Sequence, residues 1–173
     1  MLKKYKEQAE ERKVLGIPPL PLTANDVTEV VSALQQKGIN EQTGKELLYL
    51  LTERVPPGVD DAAKVKAEFL NQLAKKEVSS ELITPEHATQ LLGTMLGGYN
   101  VTPLVDLLDD KELGQAAANA LKKTLLIFDS FDQIKRKMKA GNVFAKEVMD
   151  SWAHAQWFTS REKVPEKITV TVF

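Results

Sequence analysis

"LLGTMLGGYNVTPLVDLL", residues Leu91 to Leu108, sets two adjacent glycines, a tyrosine and an asparagine between two apolar runs. A glycine pair either lets backbone N–H groups close around a phosphate or turns the chain from one helix into the next. Phosphate loops of the P-loop or dinucleotide type follow a strand and carry patterns such as GxGxxG. "GTMLGGYN" follows a helix-periodic run and matches neither. Gly97-Gly98 therefore reads first as a turn, with a ligand cradle as the alternative, and Tyr99 and Asn100 fall at its tip, as a helix cap or as candidate interface residues.

Outward from that turn the pattern repeats. "ELLYLLTERVPPGVDD" aligns with "HATQLLGTMLGGYNVT" so that Leu50-Leu51 stand over Leu91-Leu92 and Pro56-Pro57 over Gly97-Gly98. A third pair, Leu125-Leu126, again precedes a break, "FDSF". Helix pairs recurring at roughly 40 residues have the period of HEAT or armadillo solenoids, in which each pair buries its apolar face against its neighbours. The spacing here is irregular. The expected fold is all-α, a HEAT-like stack of helical hairpins with about nine helices.

Start and stop signals place these helices. The first covers Leu2 to Val14 and ends before "GIPPLPLT", whose prolines impose an extended connector. Thr23 or Asn25 caps a second helix that runs to Gly38, and Glu41 to Arg54 forms a third. A fourth begins at Asp60-Asp61, carries Val65, Phe69, Leu70 and Leu73 on one stripe, and ends near Val78. Thr84 with Pro85 and Glu86 opens a fifth. Pro103 opens a short sixth, and Leu113 to Phe128, Ser130 to Ala140 and Asn142 to Phe158 follow, with Gly141 as a stop. The tail "KITVTVF" alternates as a β-strand does, and a lone strand has no partner for its backbone groups. The expected division is a helical domain over residues 1–160 and, over 161–173, a linker with the first strand of a domain cut off here.

The chain has 173 residues, 43% of them hydrophobic, and 23 basic against 24 acidic residues for a net charge of -1. That balance gives no global field toward nucleic acid or an anionic membrane, so such a partner needs a local patch. No cysteine is present, which excludes disulfides, thiolate metal sites and a cysteine nucleophile from this sequence. The N-terminus has no apolar signal core, and no run is long enough to span a bilayer, so a cytoplasmic location without a membrane partner is expected.

Few residues invite chemistry. His87 and His154 lack a second ligand at metal-site spacing, and the paired carboxylates of "DLLDD" and "VDD" suit helix termini. "IKRKMKAGN" concentrates Lys135, Arg136, Lys137 and Lys139, with Lys122 and Lys123 upstream, and is the candidate RNA contact. Interleaved aromatics are lacking, and the four side chains spread around a helix, so a solvated face is the competing reading. In the last helix Phe144, Val148, Trp152 and Ala155 share a stripe. Trp157 points nearly opposite, which makes it a candidate interface anchor or a residue covered elsewhere in the same domain.

Taken together, "LLTERVPPGVDDAAKVKAEFL", "LLGTMLGGYNVTPLVDLLDD", "TLLIFDSFD", "AGNVFAKEVMDSWAHAQWF" and "KITVTVF" closely resemble, in order and spacing, the N-terminal region of the bacterial aconitase B family, whose members are bifunctional aconitate hydratases and 2-methylisocitrate dehydratases. The resemblance is weakest in "QQKGINEQTGK" and "QIKRKMK". It implies a HEAT-like domain that precedes a swivelling β/α domain and an aconitase core. The substrate-binding residues and the cysteines holding the 4Fe-4S cluster then lie in those later domains, so no catalytic, cofactor or metal residue is carried onto this chain. It also implies a role in dimer formation, active-site access and partner docking, with the rest of the aconitase polypeptide, a second copy and mRNA as partners.

Overall fold

The computed structural model describes residues 2–124 and 128–160, with backbone alone at residues 128, 129, 157 and 158. Among the described residues the regular structure is all helical, in nine helices of seven to fourteen residues and one terminal turn: α1 Leu2–Val14, α2 Ala24–Leu34, α3 Glu41–Glu53, α4 Asp61–Ala74, α5 Pro85–Leu92, α6 Val101–Leu107, α7 Gly114–Leu121, α8 Phe128–Lys139, α9 Val143–Ala153 and α10 Gln156–Thr159. The expected tail strand Ile168 to Phe173, the division at 160/161 and the third leucine pair Leu125-Leu126 fall on or beyond residues outside this description.

The caps follow from side-chain chemistry. Asn40 and Asn142 accept the N3 amides of α3 and α9 through Oδ1, and Asp60 takes an amide at the start of α4. Thr23 closes a reciprocal box with Asp26, whose carboxylate receives both the Thr23 hydroxyl and the Thr23 N–H. Those hydrogen bonds, the hydroxyl's foremost, hold the Asp26 carboxyl below its usual value. Thr84 and Pro85 start α5 as expected.

Several boundaries differ from expectation. Helix α4 stops at Ala74, four residues before Val78, because Lys76 takes a left-handed turn at φ 59°. Helix α6 begins at Val101, so Pro103 lies inside its first turn, where no intrahelical N–H bond is required of it. The segment expected as one helix from Leu113 to Phe128 ends at Leu121. The last helix breaks at His154 and Ala155, leaving α10 as a separate turn.

Packing proceeds along the chain. Helix α2 lies against α3 and α4, α4 against α5, α5 against α6 and α7, α7 against α6 and α9, and α8 against α6 and α9. One continuous core runs through these contacts from Leu22 to Val148 and includes Leu50, Leu51, Leu91 and Leu92, the paired leucines of the sequence repeat. Small residues allow the close approaches: a Cβ on Gly93 would stand 2.6 Å from that of Ala120, and one on Gly114 2.4 Å from the Phe144 ring. The proline connector is strapped down by Arg54, whose guanidinium donates to the Pro19 carbonyl (2.6 Å), while the Leu22 N–H donates to the Arg54 carbonyl (2.9 Å).

Candidate functional site

The turns containing Pro56-Pro57 and Gly97-Gly98, aligned in sequence, meet in space. The Gly58 N–H donates to the Leu96 carbonyl (3.3 Å), and the Tyr99 hydroxyl donates to the Val59 carbonyl (3.2 Å). Gly97, at φ 95°, lies so close to Gly58 that an added Cβ would stand 2.3 Å from its Cα. The α5–α6 turn is thus docked on the α3–α4 turn backbone to backbone. Glycine here serves the close approach of two backbone segments of the chain, and the sequence around the pair matches neither phosphate-loop pattern.

Asn100 is buried and its amide donates to the carbonyls of Leu92 (2.8 Å) and Met95 (3.2 Å). It therefore satisfies the end of the preceding helix α5, and its side chain makes no cap on α6. Tyr99 is half-buried, held by Val59. The exposed apolar groups at this edge are its neighbours Val59 and Leu96.

Beneath the docked turns opens a cavity of about 390 Å³, lined on the apolar side by Val55, Pro56, Leu91, Met95 and Leu96 and on the polar side by Thr52, Glu53, Lys66 and Thr94. Lys66 is only 6% exposed, and its ammonium has one long contact, 3.5 Å to the Thr52 carbonyl in the last turn of α3. Burial pushes the Lys66 ammonium below the ordinary lysine range, and the Glu53 carboxylate partly counters this. The stripe read as Val65, Phe69, Leu70 and Leu73 leaves this residue unnamed; the last three are buried and Val65 is half-buried. The buried face carries Ala62, Lys66, Phe69, Leu70 and Leu73. The available signal is a lysine four residues from Ala62 and from Leu70, on the core side of the helix.

The basic run divides. Lys137 turns inward to pair with Asp109, and Lys122 pairs with Glu147, lowering that carboxyl together with Gln115. Lys135, Arg136 and Lys139 are exposed on α8 and fall within an arc of about 100°. The run is therefore less dispersed than its sequence suggests. At the end of the stack the Phe131 and Trp152 rings lie stacked at 6.3 Å. The Trp157 side chain is outside the described residues, and its backbone lies in α10, which packs on α9.

The family model described as "Aconitate B N-terminal domain" matches residues 4–158. The chain belongs to this family. All of the chain is similar to aconitate hydratase B of Escherichia coli K12, at 54% identity, and of Synechocystis, at 50%, and to that of Pseudomonas aeruginosa at 49%. In each case it spans about 20% of the relative's length. As an aconitate B N-terminal domain it carries the twin-turn edge, the Lys66 cavity and the α8 basic face. A cysteine-ligated cluster does not fit the donors here, because the sequence has no cysteine and no group of three His, Asp or Glu converges among the described residues. Among those residues no helix is long and apolar enough to cross a membrane.

Proposed function

We propose that this chain is the noncatalytic N-terminal interaction domain of a cytoplasmic aconitate hydratase, a hydro-lyase that interconverts citrate and isocitrate through cis-aconitate and also acts as a 2-methylisocitrate dehydratase. The domain contributes surface for dimerisation, partner docking and active-site access, in a HEAT-like stack, and the reacting groups and the 4Fe-4S cluster belong to the remainder of the enzyme. The observation that carries this reading is similarity over the whole chain to proteins named aconitate hydratase B, of which it spans a fifth. The purified chain should form no cis-aconitate from citrate and take up no cluster on reconstitution with iron and sulfide. Turnover, or the visible absorption of a bound cluster, would overturn the noncatalytic assignment. Sedimentation at high concentration tests the dimer: self-association weakened by Trp157→Ala or Leu96→Lys supports it, and a strict monomer moves dimerisation to other domains.

The second reading is RNA contact through Lys135, Arg136 and Lys139, favoured by their grouping on one exposed arc of α8. Binding through this face should weaken steeply with salt, and the log–log slope should shrink by roughly one unit for each phosphate-binding side chain that is neutralised. Charge reversal of the three residues that leaves RNA binding unchanged removes this reading.

A further inference from the structure

The cavity under the docked turns holds opposite charges that do not pair. Lys66 and Glu53 both line it, and the Glu53 carboxylate favours the charged Lys66 ammonium, yet no ion pair closes between them. A lysine ammonium offers three donors, and the described residues give this one a single contact at 3.5 Å. The two threonine hydroxyls are occupied: Thr52 donates to the Leu48 carbonyl (2.9 Å) and Thr94 to the Leu91 carbonyl (2.7 Å). What remains is a buried cation, an anion at the exposed end of α3, and an apolar wall of Val55, Pro56, Leu91, Met95 and Leu96. The volume is within the roughly 300–1,000 Å³ of small-molecule sites.

We propose that this cavity is a binding site for a free α-amino acid with an aliphatic side chain. The carboxylate of such a molecule takes the unfilled donors of Lys66, its ammonium faces Glu53, and its side chain lies on the Val55, Pro56 and Met95 wall. A simple anion would meet Glu53 as a like charge, and a simple cation would meet Lys66. A molecule carrying both charges on one carbon meets neither repulsion. Binding would also supply the buried ammonium with acceptors that the fold leaves missing.

The test is a titration of the isotopically labelled chain with L-leucine, followed by amide chemical shifts. Two isosteres that each lack one charge, 4-methylpentanoate and 3-methylbutylamine, serve as controls. Saturable millimolar shifts are expected at Thr52, Glu53, Lys66 and Met95 with leucine, and binding weaker by about tenfold or more with either isostere. Lys66→Met and Glu53→Gln should each cost leucine binding by a similar factor, with circular dichroism confirming that the variants fold. Absence of saturable shifts with leucine overturns the proposal. So does 4-methylpentanoate binding as tightly as leucine, which would make the site one for simple carboxylates. The isostere comparison uses the unaltered chain, so it decides the matter independently of either variant.

Discussion

Lys66 is the residue at which the physical chemistry is least comfortable. A folded-state value pushed down from the ordinary 10.5 means that, between the lowered value and 10.5, the unfolded chain binds more protons than the folded one. This group therefore makes stability rise with pH across that window, and below it the full cost of burying the charge is felt. Methionine fills a similar length without a charge and matches the apolar wall. Lys66→Met is expected to be neutral or more stable by up to about 2 kcal/mol near pH 7, with the advantage shrinking near pH 10. Urea denaturation of both proteins at the two pH values measures this difference, in which the other titrating groups largely cancel. An advantage that does not change with pH would mean that Lys66 stays charged in the folded chain throughout the range.

At the scale of elements, the two docked turns separate two uses of glycine. Gly97 and Gly98 both sit at positive φ, 95° and 102°. Only Gly97 has the Gly58 backbone within 2.3 Å of where a Cβ would be, and around Gly98 nothing lies within 4 Å. Gly98→Ala should cost about 1–2 kcal/mol for the left-handed conformation alone. Gly97→Ala carries that strain and must also push the α3–α4 turn away, so its cost should exceed Gly98→Ala by at least about 1 kcal/mol in the same denaturation assay. Equal costs would mean that the turns separate without penalty. The helices themselves are legible in the sequence because Thr23, Asn40, Asp60, Thr84 and Asn142 write their caps locally. The alignment of Pro56-Pro57 with Gly97-Gly98 marks equivalent turns, and the structure adds that these turns touch. Stops are less legible: nothing in "KKEVSS" marks Lys76 as the residue that adopts a left-handed angle, because that choice is made by how α4 must leave the core. Asn100 reads forward in the sequence, as a cap on the helix after it, although its partners lie behind it at Leu92 and Met95. An amide side chain bonds in either direction, and only the fold chooses.

Across the whole molecule, the succession of contacts from α2 to α9 decides how the domain fails. Each helix rests on its neighbours, yet the buried residues form one cluster from Leu22 to Val148 with no gap between hairpins. A stack with weak internal interfaces would lose one end before the other, whereas a continuous core couples the ends. Leu92 is a sensitive place to ask, because it is fully buried in α5, near the middle of the succession, and its carbonyl is held by Asn100. Leu92→Ala should cost about 2–5 kcal/mol through the packing it removes and the cavity it leaves behind. If the core acts as one unit, amides in α2 and in α9 should lose hydrogen-exchange protection by the same amount in the variant, far though both lie from position 92 in sequence. Protection lost around α5 and α7 but retained in α2 would instead mark an uncoupled repeat array. The twin-turn edge would then be a hinge between two halves of the domain, with the Lys66 cavity on the line along which they part.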